Sequence, residues 1–428
     1  MAKARYLKIG LESVIVIGLL AAMYCTGLDL VKFHGDESHW IGSSDVFEAF
    51  FTADFDSHVW KETYWTLTQP PGTRYVIGIG RNMGGYGPED INPTWEWSND
   101  EITNIRNGTL PSADLLWWSR LPMAILAVFS LFVGFVLARR LAGPMAAYTW
   151  LVLVMMNPYL LLNLRRAMGE ASLLAGIVFV ICAYYLSART AAVSKRRWYW
   201  TTFLWLGVVG VGTGFAGSAK LNGLACLAAG ILLVGAIAIR LRQSAAHKCL
   251  FAGCGVLVIA VFTSCTFVGL NPYLWPDVDR RVGNMFRHRL KEMKAQTRHR
   301  PSAHIDSIQK RVTILPKRVF RKFAAIRGRQ SFVPNILLTL TGMCLVIARA
   351  LRWLLNRDPD PGPMVVLLAA VMTASPSFLT PLDWERYYLL PIFFSTLFIS
   401  VAIAWYVKLI CRLPDAVHGR LRAHKPGR

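Results

Sequence analysis

The sequence predicts an all-α polytopic membrane protein, and three observations carry that reading. The 428 residues are 54% hydrophobic and only 17% charged, with a mean hydropathy of +0.38; an ordinary soluble domain is less apolar. The apolar residues are gathered in blocks long enough to cross a bilayer. Basic residues cluster between alternate blocks, as they do in cytoplasmic loops.

By hydropathy, about ten helices are expected, over 9–30, 115–138, 144–162, 169–188, 199–217, 221–240, 249–270, 333–355, 363–381 and 387–410. The first follows the basic start MAKARYLK, but no small-x-small cleavage pattern comes after it at Tyr24-Cys25-Thr26-Gly27. It reads as a retained helix rather than a signal peptide. Basic clusters recur at Lys3, Arg5 and Lys8, at Arg139-Arg140, and at Arg189 with Lys195-Arg196-Arg197. Others lie at Arg240, Arg242 and Lys248, at Arg349, Arg352 and Arg357, and in the tail after Arg412. With ten alternating helices all of them share one side, which the positive-inside rule makes cytoplasmic, together with both termini.

Two long loops then fall outside. Residues 31–114 mix aromatics with acids, as in DVFEAFFTADFDSHVWKETYW, and suggest short amphipathic helices in the interface. A Pro-Pro-Gly at 70–72 forces a turn before YVIGIG, a run too short to span. Residues 271–332 begin LNPYLWPD at 270–277 and are strongly basic, with helical character between about 279 and 300. Sixteen Lys and Arg there face only Asp277, Asp279, Glu292 and Asp306, so much of the net charge of +22 lies on this face. Long loops cross regardless of charge. The cytoplasmic tail, 411–428, is basic and suited to lipid headgroups. All eight cysteines lie in or beside apolar segments, so the long loops are not disulfide-stapled. No Cys/His cluster has zinc spacing. No second domain is apparent, and no nucleic-acid partner is expected.

The segment HGDESHWIGSSD, 34–45, carries the first chemical signal: Asp36 and Glu37 arrive at the bilayer surface directly after the first helix. Charges at a membrane edge are functional candidates. Arg165, Arg166 and Glu170 at the fourth helix, Lys220 between two apolar segments, and Asp383, Glu385 and Arg386 before the last helix share that face. Plainer readings exist for several of them. Arg165 and Arg166 suit snorkelling anchors, Glu170 stands at i,i+4 from Arg166 and would neutralise it, and the Trp and Tyr of the first loop suit interface anchors. His34, His39 and His58 with Glu37 are the one set that suggests a divalent metal, without tight spacing to support it.

The ordered set resembles the GT-C superfamily of lipid-phosphosugar-dependent glycosyltransferases. It comprises DE at 36–37, QPPG at 69–72, RRAMGE at 165–170, AKLNG at 219–223, NPYLWPD at 271–277 and RYYLLP at 386–391. The nearest branch is similar to the dolichyl- or polyprenyl-phosphate-mannose protein mannosyltransferases and the aminoarabinose lipid A transferases. The resemblance spans nearly the whole chain, and only the order of the motifs is specific. The family often has HPPL where this chain has Gln69 and Gly72, and commonly Asp where it has Glu170.

The resemblance implies one membrane-embedded glycosyltransferase domain over 1–428. It implies inverting transfer of a sugar from a polyprenyl phosphate to an extracytoplasmic acceptor, whether protein, glycolipid or cell-wall polymer. Asp36 is implied as the base. Glu37 would orient it, bind the acceptor or hold a metal. Lys220, Arg386 and one of Arg165 and Arg166 would bind the donor phosphate, with Glu170, Gln69 and Tyr387 also on the substrate. The loops without cysteine lean towards a bacterial plasma membrane. A transporter or flippase for an anionic lipid-linked substrate is the rival, but it is expected to show repeat symmetry and mid-membrane charges.

Overall fold

The computed structural model describes residues 2–192, 198–328 and 330–423, with side chains described at 9–191, 199–328 and 330–412. Lys195, Arg196, Arg197, the side chains of Lys3, Arg5 and Lys8, and the tail residues after Arg412 therefore lie outside the described side chains.

The described chain is helical, with no strand among the described residues. Helix α1 (Ala2–Cys25) leads into a first loop region of short helices: α2 (Gly35–Gly42), α3 (Val46–Phe51), α4 (Tyr64–Thr68), α5 (Gly72–Met83) and α6 (Glu101–Arg106). There follow α7 (Ala113–Ala142), α8 (Pro144–Met155), α9 (Pro158–Asn163), α10 (Gly169–Ala192), α11 (Trp198–Ala219), α12 (Ala225–Arg240) and α13 (Ala245–Gly269). The basic loop forms α14 (Val278–His299) and α15 (Ile308–Lys317), and α16 (Phe332–Leu354), α17 (Gly362–Leu379) and α18 (Leu389–Ala423) complete the chain.

Eight described helices are long and apolar enough to cross a membrane, and the apolar parts of α1 and α8 are shorter. The eight lie on eight of the ten blocks read from hydropathy; the other two blocks, 9–30 and 144–162, are cut short, α1 ending at Cys25 and the second breaking before Pro158 into α8 and α9. The protein is an integral multi-pass membrane protein. Helices α10 and α18 are the most enclosed of the spans, whereas α13 and α16 turn most of their surface outward. Outward side chains such as Leu257 and Leu337 are large and apolar, as lipid contact requires. Neighbours in sequence pack as neighbours in space (α7 on α8, α10 on α11, α16 on α17), while α16–α18 and α11–α13 close the bundle.

The alternation of the helices sorts the charges. At one end Lys408 and Arg349 bond the carbonyls of Ala142 and Leu141, Arg139 pairs with Glu12, and Arg240 bonds Asn356. At the other end the α1–α2 junction, the start of α10, the Lys220 turn and the residues before α18 come together. The basic loop is tied to that end by a two-residue antiparallel bridge, His304 with Leu382, flanked by Ile305 N–H to the Pro381 carbonyl at 2.8 Å.

Candidate active site

Helix α2 begins at a capping box. The His34 Nδ1 accepts the Asp36 N–H at 3.1 Å, and the Glu37 carboxylate accepts the His34 N–H at 3.1 Å. This fixes the helix directly behind α1 and turns Asp36 and Glu37, one residue apart and so about 100° apart, to different sides.

Glu37 points inward. Arg120 Nε and Nη2 donate to its two oxygens at 2.8 Å each, and the Ala167 N–H adds a bond of 2.9 Å. Both side chains are fully buried. Arg120 Nη1 donates to the Leu28 carbonyl at 2.7 Å. One ion pair thus fastens the segment after α1, α2, α7 and the approach to α10. A buried charge is tolerated only when paired and fully hydrogen-bonded, and here the guanidinium fork meets the carboxylate with two bonds.

Asp36 points outward and pairs with Arg386, their side chains 16% and 23% exposed. The Arg386 guanidinium lies 4.8 Å over the Trp384 ring and 5.9 Å over Tyr387, a cation–π setting. Arg289 of α14 donates to the Tyr387 hydroxyl at 3.3 Å. His34 Nδ1 is 3.9 Å from the Asp36 carboxylate. Burial, then the nearby Arg166 and Arg386 charges, lower the His34 imidazole to about 4. It is neutral at pH 7, so Arg386 is the counter-charge of Asp36.

A second pair lies on the neighbouring elements. Lys220 Nζ is 2.7 Å from Glu170 Oε1, and Glu170 is buried with Oε2 unpartnered. Lys220 stands in extended backbone between α11 and α12. The start of α5 is wedged beside it: the Thr73 hydroxyl bonds Ser172 Oγ at 2.6 Å and the Ala219 carbonyl at 2.9 Å. A Cβ at Gly72 would fall 2.7 Å from the Ser218 carbonyl carbon, so this backbone approach requires the glycine that ends the Pro-Pro element. Gln69 precedes it with a buried Oε1 that has no partner.

Arg165 and Arg166 hold backbone. Arg165 donates to the carbonyls of Thr26 and Gly27, and Arg166 to that of Lys32 at 3.1 and 3.2 Å. Burial lowers the Arg166 pKa, and Glu37, Glu170 and Glu385 each raise it, which places three carboxylates around it. Glu170 takes Lys220 as its partner rather than Arg166 because that lysine reaches it across the α10–α11 interface. Asp383 and Glu385 pair with Arg318 and Lys322 of the basic loop. Burial alone would raise the Asp383 carboxyl, but bonds from Arg318 and Tyr388 outweigh it and hold it below the usual carboxylate range. Among the described residues no three His, Cys, Asp or Glu side chains gather as metal ligands; both Glu37 oxygens already serve Arg120.

Arg120 and Arg318 were not singled out by sequence reasoning. Arg120 had a usable signal, a lone cation inside the apolar LLWWSRLPMA. Arg318 had none, being one of sixteen basic residues in its loop.

The chain is thus a polytopic helical membrane protein with ion pairs gathered at one end of its bundle. The structure matches ArnT from Cupriavidus metallidurans bound to undecaprenyl phosphate with a TM-score of 0.53 at 17% identity, over 95% of this chain and 64% of that one. The apo state of ArnT matches at 0.51 and 16% identity, over 98% of this chain and 65% of that one. Archaeal oligosaccharyltransferase AglB from Archaeoglobus fulgidus, in complex with an inhibitory peptide and a dolichol-phosphate, matches at 0.50 and 13%, over 97% of this chain and 52% of that one. The chain therefore spans about half to two thirds of the length of these solved proteins. A sequence model of dolichyl-phosphate-mannose-protein mannosyltransferase matches residues 38–274, more than half of the chain, and the protein belongs to that family. The match takes in Gln69, Arg165, Arg166, Glu170 and Lys220, begins two residues after Asp36 and ends before Arg386. No curated protein sequence matches the chain.

Proposed function

We propose that the protein is an inverting glycosyltransferase that moves a sugar from a polyprenyl-phosphate donor to a hydroxyl acceptor outside the cytoplasm. The observation that carries this reading is the Asp36–Arg386 pair, a reachable carboxylate beside a reachable guanidinium at the end of the bundle. Family membership and the fold shared with a protein solved with undecaprenyl phosphate support it.

The donor's leaving group is a phosphate, so its departure calls for cations rather than a strong acid. Arg386 and Lys220 supply them, with Tyr387 and Gln69 beside the donor. The phosphate draws Arg386 away from Asp36, and the freed carboxylate takes the proton of the acceptor hydroxyl. The acceptor oxygen bonds to the anomeric carbon as the bond to phosphate oxygen breaks, the electron pair leaving with the phosphate. One carboxylate suffices for this single displacement, unlike the paired carboxylates of glycosidases. Glu37 holds Asp36 in place through α2, and Arg165 and Arg166 hold the turn behind it. Trapping the basic residue clusters on the cytoplasmic side sets this end of the bundle on the extracytoplasmic one.

The test is sugar transfer in membranes with a panel of radiolabelled polyprenyl-phosphate monosaccharides, comparing wild type with Asp36→Asn at matched expression. Turnover of one donor by wild type, reduced about 10²- to 10⁴-fold in the variant, is the expected result for a lost general base. Equal turnover in both would remove Asp36 from the chemistry.

A further inference from the structure

Asp36 and His39 stand three residues apart on α2, hence on one face, and that face is covered by a pinned aromatic loop. His39 lies 4.8 Å from Trp65 and 6.4 Å from Trp97 between ring centroids, and the Trp97 ring is 5.9 Å from His34. Interface anchors need only reach the headgroup layer; these indoles are built onto the catalytic helix instead. The buried Asn104 clamps Glu96, which lies between Trp95 and Trp97, receiving its N–H and donating to its carbonyl at 2.9 Å each. Asn92 donates to the Ser38 hydroxyl at 2.9 Å and the Thr109 carbonyl at 3.1 Å, which staples the same loop to α2. A Cβ at Gly35 would fall 2.9 Å from the Trp95 ring, so a glycine is needed for the loop to close on the helix.

Within this frame the His39 Nδ1 is buried and has no hydrogen-bond partner. Trp97 is half exposed, which leaves indole surface open beside the His34 and His39 rings. Flat aromatic surface with a few convergent polar atoms is the composition of a small-molecule subsite. A pyranose ring fits it chemically, with axial C–H groups for the indole face and hydroxyls for the imidazole nitrogen.

We infer that His39, Trp65 and Trp97 form a saccharide-binding subsite beside Asp36, which seats a hexose ring. The inference rests on the proposed transferase activity for its position next to the base, but not for its binding test. The ring belongs either to the donor or to a glycan acceptor. Burial lowers the His39 imidazole to about 4, against a smaller opposing pull from Glu96, so the ring binds as a neutral hydrogen-bonding group at pH 7.

The experiment is saturation-transfer NMR on the full chain in nanodiscs, with methyl α-mannoside, methyl β-glucoside and methyl α-galactoside at millimolar concentration. The ring protons of at least one glycoside are expected to receive saturation from the wild type. That transfer should fall at least threefold in Trp97→Ala and in the milder His39→Gln, and persist in Trp200→Ala, a fully outward indole at the start of α11. No transfer to any of the three, or transfer that Trp97→Ala and His39→Gln leave unchanged, overturns the subsite whether or not Asp36→Asn abolishes turnover. Kinetics then identify the source of the ring. A raised KM for donor hydrolysis without acceptor in Trp97→Ala assigns it to the donor; unchanged hydrolysis with lost transfer assigns it to the acceptor.

Discussion

The two faces of α2 carry the same chemical group in opposite circumstances. On the inner face Glu37 is sealed from solvent and both its oxygens are engaged by Arg120, the Ala167 N–H and the His34 N–H. On the outer face Asp36 has one counter-charge, Arg386, and remains partly open. A carboxylate with every acceptor position filled is a fastener, whereas one with a displaceable partner is available for proton transfer. The difference comes from the helical turn of about 100° between consecutive residues, which puts one side chain under α7 and the other over the mouth of the bundle.

The sharpest way to break this comparison is to exchange the effects. Arg120→Ala leaves a buried, unpaired carboxylate, so the loss should be about 3–5 kcal/mol of stability, seen as a collapse of detergent-solubilised thermal stability and of expression. Asp36→Asn leaves the partly buried Arg386 without its counter-charge and should cost less, about 1–3 kcal/mol in the same melt, while losing turnover. Comparable melts for the two variants would remove the distinction between the faces.

Next in size is Gly72→Ala. Its methyl would meet the Ser218–Ala219 backbone at 2.7–2.9 Å, an overpacking strain of about 1–3 kcal/mol. Because the strain falls on the turn before Lys220, the KM for donor should rise alongside the drop in melting temperature. A variant with normal stability and normal KM would show that the α5–α11 contact does not position Lys220.

A smaller effect concerns the imidazoles of α2. His34 and His39 both have folded values near 4, below their ordinary value of 6.5, chiefly through burial. The unfolded chain therefore binds protons that the folded one refuses, so the stability they contribute is present above about pH 6.5 and lost as pH falls towards 4. Melting temperature should decline over that window, and His39→Gln should flatten the decline more than His34→Gln, since His34 is 38% exposed and screened. An equal slope in all three proteins would place the titration elsewhere.

The smallest effect is expected on the basic loop. The Lys310–Asp306 pair is about half exposed on both sides, and Lys310→Ala should leave the melting temperature unchanged, because water and salt screen such a pair.

Much of the architecture was legible in the sequence because crossing a bilayer is a local property. Twenty apolar residues announce a span whatever packs against them. The candidate site was legible only as a list of charged residues, among them Asp36, Glu37, Glu170, Lys220 and Arg386, which the structure gathers at one end. What the sequence could not supply was the pairing. Glu170 is four residues from Arg166 yet bonds Lys220, fifty residues away; Arg165 and Arg166, adjacent cations, turn to backbone carbonyls of the α1–α2 junction more than 130 residues earlier. Hydropathy and spacing therefore determined by themselves the membrane class, the ten apolar segments and the list of charged candidates. Only the tertiary structure decided which carboxylate is fastened and which is free, because that depends on which helix lies against each face of α2, and packing between distant segments is not encoded in any local window.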